Sequence, residues 1–444
     1  MGQPVERWTV QYGDEGPREI RVPHAWRQDV ALDWEGPALY RTMLEVPKAP
    51  TLLRFHGVSY ACRVTLGGRD VAAHEGMWNA FDVDLTRYAG QTVEIGLEVV
   101  KNGGRLFPVP AVLSGFLPYV YGTWGGLFRR VELVPKATPL EGPPTPSRVT
   151  VEGQHLRYDG KPVFPRGILH WGWYPETGAP TPTMAEIERE IATIQELGFN
   201  LVKFCLWLPP HEYLEALDAA GLMAWIELPL WAARESLFDE PRIEEELERI
   251  VRQYRGHRCI GIWTVGCELG NAPAAFRERM VAKVQALTGC WLVRDSSGGA
   301  EMFGGDPREF GSFEDFHPYT DLPVYGAVLD SLALGTHAGT PILLGETMDA
   351  DVHRDLPRIA RRLPYWASAL SELNAKGVRW YYDLPRQARE LPIFTEEGAE
   401  RDRELREASI ARASFVRRTM AEAARARPAI SGYVVAHLRD TPVT

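Results

Sequence analysis

Two strand-like apolar runs in this chain end on a glutamate. "IGIWTVGCE" stops at Glu268 and "PILLGE" stops at Glu346. A carboxylate at the end of a buried strand is placed where a barrel or open sheet opens to solvent. Two of them facing one cleft are suited to acid/base and nucleophilic chemistry at a glycosidic bond, for which retaining enzymes hold the carboxyls about 5–5.5 Å apart. Other runs end on groups that suit a sugar: His170 and Trp171, Trp207, Glu227 with Trp231, Cys267 beside Glu268, Asp295 and Ser296, His317 with Tyr319, and His437. Indole faces stack on apolar sugar faces, although Trp171, Trp207 and Trp231 serve equally well as barrel core. Asp349 and Asp351 are placed to touch a hydroxyl or to hold a turn.

The elements that carry these residues alternate strand and helix. "KPVFPRGILHW" reads as a strand. In "TMAEIEREIATIQELG" an apolar face is made by Met184, Ile187, Ile191, Ile194 and Leu197, with Thr183 and Glu186 as a capping box and Gly198 as the stop. "NLVKFCLW", "LMAWIELPLW", "CIGIWTVGCE", "WLVRDSSGG", "SFEDFHPY", "PILLGE" and "ISGYVVAHLRD" continue the series to eight strands, which predicts a TIM-type (β/α)8 barrel over 149–444. Residues 1–135 differ. Short alternating runs such as "TVEIGLEVV" between turn residues predict an all-β jelly-roll sandwich, and "VPKATPLEGPPTPSR" marks a proline-rich linker at 136–148. More than eighty residues separate strands seven and eight, and they include an aromatic stretch, Arg379–Pro385, suited to a lid or subsite wall. The sequence stops at Thr444, soon after strand eight, so the last barrel helix is expected from a longer chain, a C-terminal region or a second copy covering that end.

Composition removes several function classes. A formal net charge of −10 argues against nucleic acid as a partner, since phosphate binding calls for clustered positive charge. The Arg-rich stretch Arg401–Pro428 interleaves with Glu and Ala at helical spacing and reads as a solvated helix face. The five cysteines (Cys62, Cys205, Cys259, Cys267, Cys290) show no metal-ligand spacing, so neither a metal nor a cofactor is expected, and thiols in apolar contexts point to a reducing compartment. With no signal-like N-terminus and no apolar run of the ~18 residues that span a bilayer, a cytoplasmic protein with no membrane partner is expected.

The segments "VPHAW", "WEGPALYRTMLEVP", "FDVDLT", "DGKPVFPRGILHW", "HPY" and "RPAISGYVVAHLRD" together resemble glycoside hydrolase family 2, which contains β-galactosidases, β-mannosidases and β-glucuronidases. The resemblance implies that Glu268 is the acid/base and Glu346 the nucleophile, with His317 and Tyr319 lining the sugar site, in a retaining, exo-acting β-glycosidase that acts on terminal sugars. His170, Trp171, Trp207 and Cys267 complete the expected substrate-binding set. The chain departs from the family in four ways. The linker is too short for the usual immunoglobulin-like middle domain, Lys203 stands where an Arg is usual, His437 where a Trp is usual, and Cys267 where the acid/base is preceded by an Asn that bonds the sugar 2-hydroxyl. A thiol is a weak donor and poor acceptor. Two other readings follow from these departures: a carbohydrate-binding or scaffolding protein with a degenerate site, and an enzyme for sugars unusual at the 2-position.

Overall fold

A computed structural model describes residues 2–26, 29–30, 34–101, 113, 124–231, 239–269, 272–298, 310–334, 339–362, 384–439 and 441. Positions 379–383 of the aromatic stretch lie outside them.

Alternation of apolar and polar residues builds the N-terminal sandwich. In the strand Arg7–Tyr12, Trp8, Val10 and Tyr12 are buried while their neighbours face outward. Six antiparallel strands form one sheet, in the order Arg18–Arg21, Arg7–Tyr12, Ala38–Glu45, Thr92–Val100, Ala61–Leu66, Arg69–Glu75. Four form the other: Gln3–Pro4, Val131–Pro135, Thr51–Phe55 and Phe81–Asp84. Tyr40, Val64, Ile95, Leu97 and Phe55 are fully or almost fully buried in the core between them.

The proline-rich segment is pinned rather than free. Arg54 donates to the Thr138 and Pro139 carbonyls, and Arg255 to that of Gly142. After it the sequence reading needs a correction. Lys161–Val163 belongs not to the first barrel strand but to a three-stranded antiparallel sheet with Val149–Glu152 and His155–Tyr158. This sheet plugs the bottom of the barrel: a Cβ at Gly261 would run into Val149, and Ser431 Oγ donates to the Gln154 carbonyl at 2.6 Å.

Eight parallel barrel strands follow: β1 (Arg166–His170), β2 (Leu201–Phe204), β3 (Met223–Glu227), β4 (Ile260–Thr264), β5 (Val293–Arg294), β6 (Glu314–Phe316), β7 (Ile342–Thr347) and β8 (Gly432–Val435). Their order is β5-β4-β3-β2-β1-β8-β7-β6, the cyclic order of a (β/α)8 barrel, with no ladder between β5 and β6 among the described residues. Burial on both faces explains the unbroken apolar runs. Among the described residues the outer helices are α1 (Met184–Glu196), α2 (His211–Ala220), α3 (Glu240–Tyr254), α4 (Ala274–Thr288), α5 (Leu322–Leu334), α6 (Leu356–Arg362), α7 (Leu384–Glu390) and α8 (Glu396–Arg425).

In α1 the capping box of Thr183 and Glu186 forms, and Ile187, Ile191 and Ile194 face the core. Met184 and Leu197 are exposed, and Glu190 is buried in their stead because it joins a polar cluster behind β1. The 30-residue α8 carries the Arg-rich stretch. It buries Ala413, Met420 and Ala424, and it pairs Arg401 with Glu404 on its outer face. No helix among the described residues is long and apolar enough to cross a membrane.

The sandwich is bolted to α3. Gln253 exchanges two 2.9 Å hydrogen bonds with the Ala80 backbone, Arg129 Nη1 donates to the Tyr254 hydroxyl at 2.9 Å, and the Tyr60 hydroxyl donates to Glu246. Glu246 is buried, which pushes its carboxyl up to about 7 in spite of Tyr60 and the nearby Arg249 and Arg242.

Candidate active site

The strand ends are shaped by close backbone approach. A Cβ at Gly266 would run into the Leu230 carbonyl oxygen, so only glycine lets the end of β4 lie this near the end of β3. The Cys267 N–H then donates to the Leu230 carbonyl at 2.9 Å and the Glu268 N–H to that of Ser297 at 3.0 Å. These bonds turn Glu268 into the left-handed region, with φ 50. Leu206 (φ 58) and Met348 (φ 61) share that conformation just past β2 and β7, so strain of about 1–3 kcal/mol per residue is concentrated at one end of the barrel. Gly298, at φ +59, leaves room for the imidazole of His317, which a Cβ there would overlap.

The carboxylates of Glu268 and Glu346 converge on that imidazole. His317 Nδ1 lies 3.6 Å from Glu268 Oε1 and 3.8 Å from Glu346 Oε2. Those two oxygens are therefore no farther apart than the sum of the distances, about 7.4 Å. The Tyr319 hydroxyl donates to Glu346 Oε2 at 2.6 Å, and Trp231 Nε1 donates to Glu268 Oε2 at 3.1 Å. Cys267 lies beside them, with Sγ 4.0 Å from Glu346 Oε1.

Beneath the pair a polar network crosses five strands. The fully buried Lys203 Nζ sits 2.9 Å from Glu227 Oε2 and 3.3 Å from Glu346 Oε1, and donates to Ser297 Oγ at 2.6 Å. Ser297 Oγ donates to Asp315 Oδ2 at 2.6 Å and lies 3.0 Å from His317 Nε2. Asp315 Oδ1 accepts the Gly345 N–H at 2.8 Å, which fixes the backbone that presents Glu346.

The electrostatics follow from these contacts. Burial alone would raise the Glu346 carboxyl, but His317, Lys203 and the Tyr319 hydroxyl hold it down to about 2. Burial pulls His317 down, and the facing Glu346 and Glu268 outweigh it and carry the imidazole up to about 9, so it is cationic near neutrality. Lys203 stays charged for the same reason, opposed by burial and held by Glu227, Glu346 and Asp315. Glu227 is raised by burial despite Lys203. The arrangement offers one carboxylate locked in its anionic form and a second, partly exposed one a few ångströms away.

Of the residues singled out in the sequence, Glu268, Glu346, Cys267, His317 and Tyr319 come together here. His170 and Trp207 do not. His170 Nε2 lies 3.1 Å from Glu190 Oε2 in a buried cluster with Tyr174, and Tyr213 donates to the same oxygen at 2.8 Å. Trp207 Nε1 donates to the His170 carbonyl at 2.7 Å, and its ring is fully buried. Trp171 stacks on His437 with ring centroids 4.6 Å apart. Glu227 proves to be the buried partner of Lys203, and Trp231 a donor to Glu268. Sequence reasoning missed Cys205, whose Sγ lies 3.8 Å from Glu346 Oε1, as well as Ser297 and Asp315. A period-2 signal was available for two of them: Cys205 lies two residues past Lys203, and Asp315 two before His317, so each shares its partner's strand face.

No family model matches the chain. The chain is 31% identical over 133 residues to a β-galactosidase of Enterobacter cloacae, a match covering 28% of this chain and 13% of that protein. It is 26% identical over 168 residues to a β-galactosidase of Yersinia pestis, covering 36% and 16%. The matched stretch is thus a small part of these relatives' length. Among solved structures, a family 2 β-galacturonidase from Eisenbergiella tayi superposes with a TM-score of 0.70 at 15% identity, over 98% of this chain and 88% of that one. A β-glucuronidase from Parabacteroides merdae gives 0.70 at 14% identity, over 100% and 72%. The chain therefore has, over nearly its whole length, the multidomain sandwich-and-barrel fold of a glycoside hydrolase family 2 structure, the fold that the resemblance read from its sequence implies.

Proposed function

We propose that this protein is a retaining, exo-acting β-glycosidase that releases terminal hexose or hexuronic acid residues from oligosaccharides or glycoconjugates. The observation that carries the reading is the convergence of Glu268 and Glu346 on one imidazole, in a fold shared with β-galacturonidases and β-glucuronidases. Glu346 attacks the anomeric carbon as its carboxylate, and Glu268 gives its proton to the departing glycosidic oxygen. A glycosyl ester on Glu346 results. Water, deprotonated by Glu268, then displaces Glu346 and restores both groups. Lys203, His317 and Tyr319 keep Glu346 ionised for the attack, and Trp231 orients Glu268.

A second reading rests on Cys267. Its thiol lies beside Glu346 and is a weak hydrogen-bond partner. This favours a substrate without an equatorial 2-hydroxyl, or a protein that binds sugar and turns it over slowly.

Activated aryl β-glycosides with proton NMR detection test the proposal. The first product is expected to be the β-anomer, and Glu346→Ala and Glu268→Gln should each lose at least about 10³-fold in rate, the Gln variant least on substrates with good leaving groups. Release of the α-anomer first, or wild-type rates in both variants, would overturn it. Sugar binding without turnover across the panel would establish the second reading.

A further inference from the structure

A cavity of about 160 Å³ lies between the sandwich and the barrel and shares no lining residue with the candidate active site. Trp78, Ile187, Pro210 and Tyr254 give it apolar and aromatic walls. Met184, 49% exposed, stands at its rim and leaves it open to solvent. An apolar cavity of about 150 Å³ is enough to hold one benzene ring. Arg129 faces the same space and is 5% exposed. Its Nη1 donates to the Tyr254 hydroxyl at 2.9 Å and its Nη2 to the Leu208 carbonyl. The guanidinium lies over the rings of Trp78 and Phe128, 5.2 and 5.4 Å from their centroids. Each of these partners is neutral. Arg129 Nε has no hydrogen-bond acceptor among the described residues, and no described carboxylate pairs with the group. An arginine cannot shed its proton, so the buried cation and its orphan N–H both stay unfavourable. The other charged groups around the cavity are already matched. Glu212 pairs with Arg130 at the rim, where their side chains are 28% and 38% exposed. Glu132 lies 2.7 Å from His56 Nε2 and 3.6 Å from Arg130 Nε. Burial pulls the imidazoles of His56 and His211 below their ordinary range, so neither adds a cation near neutrality.

We propose that this cavity is a binding site for a small monocarboxylate whose body is a single apolar ring. The carboxylate accepts the Arg129 Nε–H and cancels the guanidinium charge away from bulk water, where a charge-assisted hydrogen bond is stronger than at the surface. The ring lies against the apolar walls. One buried cation calls for one negative charge, so a phosphate dianion would leave a net charge in the cavity. A hexuronate would set its hydroxyls against Ile187, Pro210 and the aromatic rings, where they find too few partners. Arg129 and Trp78 come from the sandwich, and Ile187, Pro210 and Tyr254 from the barrel, so occupancy ties the two together and stabilises the folded chain by mass action. None of this rests on the glycosidase reading.

The test titrates the full-length protein near neutral pH with benzoate, and with benzamide, inorganic phosphate and glucuronate for comparison, by calorimetry. One benzoate should bind per chain with a Kd of about 1 mM or tighter, and each of the other three at least about tenfold more weakly. Benzoate at saturation should also raise the melting temperature, whereas benzamide at the same concentration should not. Arg129→Met should weaken benzoate at least about tenfold. Because that change also removes two hydrogen bonds at the junction, Met184→Trp is made as well. It fills the rim at an exposed position that the fold does not depend on, and should weaken benzoate to a similar extent. A crystal structure of the wild-type protein with benzoate gives a readout that needs no variant to fold: the carboxylate is expected on Arg129 Nε. Absence of saturable benzoate binding would overturn the proposal, as would benzamide, phosphate or glucuronate binding as tightly as benzoate. Unchanged affinity in either folded variant, or a benzoate carboxylate seated on Lys203 or His317 instead of Arg129, would overturn it too.

Discussion

Replacing Lys203 with Met leaves two buried carboxylates facing each other without their shared cation. The ammonium lies 2.9 Å from Glu227 and 3.3 Å from Glu346, with its side chain wholly inaccessible. Breaking a buried ion pair by removing one partner costs about 3–5 kcal/mol, because the remaining charge stays desolvated. At about 2 °C per kcal/mol in a chain of this size, the melting temperature should fall on the order of 5–10 °C near pH 7. The pH dependence carries the diagnostic sign. In the variant Glu227, raised by burial even beside Lys203, loses the cation that opposes the shift, so its folded form holds a proton that the unfolded chain releases. Stability is then greatest below the unfolded carboxylate range and is lost as pH rises through the raised value. Wild-type Glu346, held at about 2, contributes a term that is already constant above about pH 5. The deficit of Lys203→Met should accordingly be small near pH 5 and largest above pH 7. Melting curves of both proteins at half-unit pH steps measure it. A deficit that is the same at pH 5 and pH 8 would refute the electrostatic account and leave only lost packing.

Two further predictions follow from the same contacts. Tyr319→Phe removes a 2.6 Å hydrogen bond to Glu346 Oε2, a loss of about 1.5–3 kcal/mol of anion stabilisation, and should move the acidic limb of kcat/KM upward by about one to two pH units while leaving the fold intact. At the domain junction, the Glu246 carboxyl is raised to about 7, so its protonated form favours the fold, and wild type loses on the order of 3 kcal/mol as pH rises through that value. Glu246→Gln should flatten this slope and melt above wild type at pH 8, as scanning calorimetry would show.

The fold was largely legible in the sequence because its signals are local. Period-2 alternation marked the sandwich, and the Thr183 and Glu186 capping box marked α1. Unbroken apolar runs ending in polar residues marked the barrel strands, since a strand buried on both faces cannot alternate. The candidate pair was legible for the same reason, as Glu268 and Glu346 each stand where an apolar run stops.

Side-chain direction was not legible. His170 ends a barrel strand as Glu346 does, yet Glu190, Tyr174 and Tyr213 hold it away from the pair, and that choice depends on two helices packed behind β1. Nor does sequence spacing reveal that Cys205 and Cys267 face the same carboxylate. They stand sixty-two positions apart, and only closing the strands in cyclic order places both thiols against one carboxylate. Residue type and strand end were properties of the chain; which groups share a face of the barrel, and so which charges act together, was decided by the tertiary structure.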